Sequence, residues 1–140
     1  MRAFDLVDSW PVDAAAIAVI DRSGEIHLHG DETREFRLAS VTKVITAWAL
    51  LVACEEGTVS LDDEVGREGC TLRHLLSHAG GFPFEGEAPV GAVGARRIYS
   101  NTGYEMVASH LAAQSEMDFW EYVDGAVFEP LGIAASPQSG

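Results

Sequence analysis

Lysine is nearly absent. The 140-residue chain has one, Lys43, and its nine Lys plus Arg residues face 22 Asp plus Glu, for a formal net charge of −13. A surface so short of cations cannot neutralise a run of phosphates, which argues against a nucleic-acid partner. Anionic membrane surfaces repel such a chain for the same reason. Long apolar runs are missing as well. No stretch approaches the ~18 uninterrupted apolar residues of a membrane-spanning helix, so no membrane association is expected. The opening residues, MRAFDLVDSWPVD, put Asp5, Asp8 and Asp13 where a secretory signal carries its apolar core. Cysteine is scarce too. With no secretory context, Cys54 and Cys70 read as free thiols rather than a disulfide. Cytoplasmic localisation is the expectation.

What is there suffices for a folded domain. Hydrophobic residues make up 47% and charged residues 22%, an ordinary globular balance. The length fits a single domain, residues 1–140, of a size that buries roughly 68–70% of its unfolded surface. Ala14 to Ile20 is a short apolar run, Asp21-Arg22-Ser23-Gly24 carries turn chemistry, and Glu25 to His29 alternates, which predicts a hairpin. His27 and His29 share one face of its second strand. With no third ligand in view, they are expected on an exposed polar face rather than at a metal.

From Ser40 the pattern turns helical. Val44, Ala47, Trp48, Leu51 and Val52 form the stripe expected to face a core, and Gly57 ends the helix as a left-handed cap. TVSLDDEV reads as a short extended or turn segment. A second short helix is expected over Thr71 to Ala79, with Thr71 as its cap. His74 and His78 stand four apart within it, the spacing of a helical zinc pair. Neither the glutamate of an HExxH arrangement nor a third ligand accompanies them, so no metal is expected. Gly86 to Gly94 reads as a flexible loop. Further helices are predicted from about Thr102 through Gln114 and from about Asp118 to Phe128. The tail AASPQSG has no periodicity.

Two groupings carry chemistry. Ser40 and Lys43 are three residues apart, so on a helix they lie on nearly one face, separated by about 4.5 Å of rise. A serine hydroxyl is a poor nucleophile until a base takes its proton, and an amine can do so only when neutral. Burial and the positive end of a helix both favour the neutral amine. The plain alternative is a capping serine and a solvated lysine. First-turn positions favour acidic side chains, however, and the only lysine stands there. The second grouping is RRIYSNTGYEMVA, in which Tyr99 and Asn101 flank Ser100 just before a helix. A phenol can relay a proton, and an amide can donate to a carbonyl while accepting from a lysine. Taken alone, Tyr99 could equally be an interface aromatic and Asn101 a cap.

SVTK and YSN occur in order with EEGTVSLDDEV, TLRHLLSHAGGFP and FEPLGI. With these segments the chain resembles the N-terminal part of the serine β-lactamase and penicillin-binding-protein superfamily, in particular its class C β-lactamase, D-alanyl-D-alanine carboxypeptidase and esterase branch. The resemblance implies an α+β, β-lactamase/transpeptidase-like fold: here an N-terminal β-hairpin plus the helical region, lacking the C-terminal strands of the antiparallel sheet. It implies Ser40 as acylated nucleophile, Lys43 as its base partner, Tyr99 as proton relay and Asn101 as a substrate-orienting amide. The Ser40 N–H would supply half of an oxyanion hole, with His78, Gly80 and Gly81 as structural framing. No metal or organic cofactor is implied. The family's third motif, a Lys-Thr-Gly or His-x-Gly triplet on a downstream strand, has no match after Asn101. Two readings stay open. One is a serine hydrolase acting through an acyl-serine intermediate on a small-molecule, peptide or ester substrate: a β-lactam, a D-alanyl peptide or an ester. The other is a truncated, catalytically inactive member that binds a partner or self-associates through its incomplete sheet.

Overall fold

The computed structural model describes residues 2–31 and 33–134; of the tail, residues 135–140 lie outside that range. The chain divides into two compact units, Met1–Arg37 and Leu38–Gly140.

In the first unit, β1 (Ala16–Ile20) pairs antiparallel with β2 (Ile26–Gly30), Ala16 opposite Gly30 and Ile20 opposite Ile26. Asp21 builds the turn. Its Oδ1 accepts from the Ser23 N–H at 2.8 Å, the Ser23 hydroxyl at 2.6 Å and the Glu25 N–H at 3.0 Å. Those donors, Ser23 foremost, hold its carboxyl below the usual range. A short helix, α1 (Arg2–Val7), was not anticipated from the sequence. It buries Phe4 and Val7. The Phe4 ring stacks on His29 at 5.1 Å, and Asp8 Oδ1 lies 2.7 Å from His29 Nε2. The histidine side of β2 is therefore half-buried, while Ile20, Ile26 and Leu28 are exposed. This corrects the expectation of an exposed polar face. A stacked aromatic and a carboxylate give a histidine ring the partners that burial demands.

The second unit holds a 3₁₀ turn (Ala39–Val41), α2 (Thr42–Glu56), α3 (Leu72–Leu76), α4 (Asn101–Ser115) and α5 (Phe119–Val123). A π-helical turn (Asp124–Phe128) and α6 (Glu129–Leu131) follow. Leu50 of α2, Leu72 and Leu75 of α3, Val107 and Leu111 of α4, and Val123 of α5 meet in one core. Caps fix the ends of these helices. Gly57 takes φ 79° and its N–H turns back to the carbonyls of Ala53 and Cys54, a left-handed ending that glycine adopts without steric cost. Ser100 accepts from the Gly103 N–H at 2.9 Å, and Asp118 accepts from the Trp120 N–H at 2.8 Å.

The buried face of α2 consists of Thr46, Ala49, Leu50 and Ala53. The stripe of Val44, Ala47, Trp48, Leu51 and Val52 is not the core face: Val44 is 64% exposed, Trp48 52% and Leu51 48%. The helix is apolar on both sides. Its small side, Ala49 and Ala53, packs inward and lets the neighbouring helices approach. The two faces should differ in mutational cost. Leu111→Ala opposite α2 is expected to lower stability by about 2–5 kcal/mol, and Trp48→Ala by less than about 1 kcal/mol, read from urea unfolding midpoints. Equal losses would contradict this assignment of faces.

Candidate active site

Three segments of the second unit converge: the start of α2, residues 78–81, and the loop entering α4. Ala39 takes φ 45°, a left-handed conformation that non-glycine residues seldom occupy outside functional sites and turns. Ser40 follows it, exposed on the opening turn of the helical run. Its N–H is one of the first-turn amides that helix geometry leaves without an intrahelical acceptor.

Lys43 lies one turn further and is half-buried. Its Nζ donates to Asn101 Oδ1 at 2.6 Å, and it sits 5.0 Å from the centroid of the Tyr99 ring and 5.7 Å from that of Tyr104. A charge-assisted hydrogen bond and two aromatic faces compensate the partial loss of hydration. The Ser40 hydroxyl, and after it the Lys43 ammonium, hold the Tyr99 phenol below its ordinary value. Tyr104 goes the other way. Its hydroxyl donates to the Leu76 carbonyl at 3.1 Å, and burial raises its pKa. Two phenols beside one amine are thus biased oppositely, Tyr99 toward phenolate and Tyr104 toward the neutral form.

Residues 78–81 form the spine that delivers Tyr99 and Asn101. The carbonyls of His78, Ala79 and Gly81 accept from the N–H groups of Ile98, Gly94 and Val90, each at 2.8 Å. Arg67 Nη1 donates to the Gly91 carbonyl at 2.9 Å. Gly81 has φ 79°, and a Cβ there would lie 2.3 Å from the Gly91 oxygen. Only glycine permits that approach. The 86–94 segment, expected as a flexible loop, is irregular but tied at Val90, Gly91 and Gly94. On the far side, the Asn101 N–H donates to the Phe84 carbonyl at 2.9 Å, and the Thr102 hydroxyl to the Gly86 carbonyl at 3.2 Å.

The structure therefore gathers Ser40, Lys43, Tyr99 and Asn101 in one place. It does not form the helical histidine pair. The helix α3 stops at Leu76, short of the expected Ala79, because His78 turns left-handed at φ 61° and gives its carbonyl to Ile98. His74 Nδ1 instead accepts from the Thr71 N–H at 3.2 Å, and His78 Nδ1 from the Ser100 N–H at 3.1 Å. Among the described residues, one group of three metal-donor side chains converges, Asp21, Glu25 and His27, with donor atoms within 4.8 Å. It lies on the exposed hairpin turn, where Asp21 already accepts three hydrogen bonds. Tyr104 and Arg97 were not singled out from the sequence. Tyr104 was within reach, standing three residues after Asn101 on one helix face.

Residues 6–136 match the Beta-lactamase family model. The chain belongs to the beta-lactamase family. A beta-lactamase from Mycobacterium bovis is 43% identical and superposes with a TM-score of 0.92, over 99% of this chain and 51% of that one. Penicillin-binding protein 4* of Bacillus subtilis is 27% identical, matching 70% of this chain and 29% of its own length. A mutant simvastatin synthase from Aspergillus terreus is 25% identical, with a TM-score of 0.77 over 95% of this chain and 49% of that one. This chain thus spans about half the length of the M. bovis protein and under a third of the B. subtilis one. Family membership places it in a serine hydrolase superfamily. Its hairpin and helices are part of that α+β, β-lactamase/transpeptidase-like domain. Among the described residues no helix is long and apolar enough to cross a membrane.

The three tyrosines should separate in a spectrophotometric titration. Tyr99 is expected to ionise below the ordinary value of 10.0. Tyr104 ionises above it through burial, as does Tyr122, whose burial is reinforced by the Glu56 carboxylate at 2.7 Å. Tyr99→Phe should remove the low step alone, and a low step that survives the substitution would refute the assignment.

Proposed function

We propose that the chain carries the nucleophile, base and relay of an acyl-transfer site. The Ser40 oxygen attacks the carbonyl carbon of a β-lactam, a D-alanyl peptide or an ester. A bond forms from that oxygen to the acyl carbon, the C–N or C–O bond to the leaving group breaks, and the serine proton passes through Lys43 and Tyr99 to the departing atom. One observation carries this reading: Lys43 Nζ and Asn101 Oδ1 meet at 2.6 Å across 58 residues of sequence. That bond fixes the amine within the turn that bears Ser40. It also orients the amide, since an Oδ1 committed to lysine leaves the Asn101 NH₂ free to donate to a substrate carbonyl. The lowered phenol pKa suits Tyr99 to accepting a proton near neutrality. Two relatives are called a beta-lactamase and a penicillin-binding protein, which makes a penicillin the first substrate to try.

The Ser40 N–H supplies one oxyanion donor. The family resemblance assigns the other to a downstream strand outside this sequence, and losing one such donor costs about 10²–10³ in turnover. Stoichiometric acylation, rather than rapid turnover, is the expected behaviour of the 140-residue chain. Intact-mass measurement after incubation with a penicillin and with an activated phenyl ester should show a single adduct, absent from Ser40→Ala. A folded parent chain that gains no mass from either reagent would overturn the proposal.

A second reading, a non-catalytic module that self-associates, is favoured by the hairpin. A sheet of two strands presents unpaired edges, and Ile20 and Ile26 on its open face are 68% and 58% exposed. Sedimentation velocity would then show concentration-dependent dimers that Ile26→Lys abolishes. A chain monomeric at every concentration removes this reading.

A further inference from the structure

His78 is the one buried basic side chain among the described residues, and the acyl-transfer reading gives it no task. It occupies φ 61°, a conformation unfavourable for a residue with a Cβ. Glycine would relieve that strain, and glycines follow at 80 and 81, yet this position carries a ring. The ring has specific partners. Nδ1 accepts from the Ser100 N–H at 3.1 Å in a buried hydrogen bond. The ring centroid lies 4.5 Å from that of Tyr99 and 5.1 Å from that of Tyr104. The His78 carbonyl accepts from the Ile98 N–H at 2.8 Å. One residue therefore holds the amides on both sides of Tyr99 and packs against its ring as well.

We propose that His78 is a positioning residue for Tyr99 and Asn101, its neutral ring holding the Ser100 amide through Nδ1 while forming the wall against which both tyrosines of the site lie. The proposal rests on the acyl-transfer reading of those residues. A backbone N–H can only donate, so Nδ1 is bare and the ring proton sits on Nε2. Protonation would set two donors against each other and break the bond. The groups facing the ring all oppose protonation or are neutral: Arg97 from the loop before Tyr99, Lys43 from α2, and the phenols of Tyr99 and Tyr104. Burial, then Arg97 and Lys43, hold the His78 pKa below 6.5. The neutral, positioning form therefore prevails at and above 6.5, and is lost as pH falls through the lowered folded value.

The test compares the 140-residue parent with His78→Gly, which accepts the backbone but removes ring and acceptor, and His78→Asn. Asparagine tolerates the left-handed backbone and offers Oδ1 where Nδ1 was. Three readouts apply to chains shown to unfold cooperatively: hydrogen exchange of the Ser100 amide, the pH at which Tyr99 ionises, and the rate of acylation by a penicillin. In His78→Gly, Ser100 is expected to lose protection, the Tyr99 step to move up toward 10.0, and acylation to slow about ten- to a hundredfold. His78→Asn should restore Ser100 protection and most of the lost rate. Parental Ser100 protection and Tyr99 ionisation in a folded His78→Gly chain would overturn the proposal, as would an Asn variant no better than Gly. A parent that is never acylated defeats the acyl-transfer reading alone, since exchange and titration still decide the role of His78. If His78→Gly does not fold, the Asn variant decides, together with the parent's loss of Ser100 protection on acidification. Protection unchanged down to the onset of acid unfolding counts against the proposal.

Discussion

Lys43 Nζ donating to Asn101 Oδ1 ties the first turn of α2 to the first turn of α4. Leu50 of the one helix and Val107 and Leu111 of the other are completely buried in the same core. The polar tie and the apolar packing thus fix the same two rods at different heights. A charge-assisted bond is short and directional, and in a half-buried setting it is weakly screened by salt. The packing sets how far apart the helices lie, and the bond sets how their ends face each other. Tyr99 and Ser100 are presented from this frame, with the three carbonyls of residues 78–81 bracing the approach.

The distribution of charge follows from the same constraint. With 22 acidic residues against nine basic ones, a carboxylate beside Lys43 would be the statistical default. The groups that approach the amine are an amide and two phenols instead. Acidic side chains work elsewhere. Glu56 accepts from Tyr122, Asp63 lies 3.3 Å from His110, and Asp62 meets Arg73 at the surface. A carboxylate paired with Lys43 would stabilise the ammonium and lock it. An amide oxygen satisfies the amine without adding an opposing charge, which keeps proton movement through Lys43 and Tyr99 open.

The parts of this arrangement legible in the sequence are those set by local chemistry. Gly57 and Asp118 mark helix ends because a cap acts within a few residues, and the spacing of Ser40 with Lys43 and of Tyr99 with Asn101 placed each pair correctly. Decisions made at long range were not legible. Both faces of α2 are apolar, so periodicity could not say whether Ala49 and Ala53 or Trp48 and Leu51 would meet α4. The end of α3 depends on Ile98, twenty residues away in sequence, capturing the His78 carbonyl. The six residues of α1 are too few for a periodic signal, and the side of β2 that is covered follows from Phe4 and Asp8 of that helix.

Beyond α5 the helical run widens into the π turn of Asp124–Phe128, which carries Val127 and Phe128 into the core. Such a turn holds more residues than an α-helical turn would, so it acts as a spacer in the winding of the chain. Losing one residue there would let the run relax to regular geometry while rotating everything after it by about 100°, turning Val127 and Phe128 off their seats. Exchanging a residue is a different matter. At Gly125 an added Cβ would meet nothing within 4 Å. This stretch is therefore open to changes of spelling and closed to changes of length, and among related chains its residue count should drift far less than its identity.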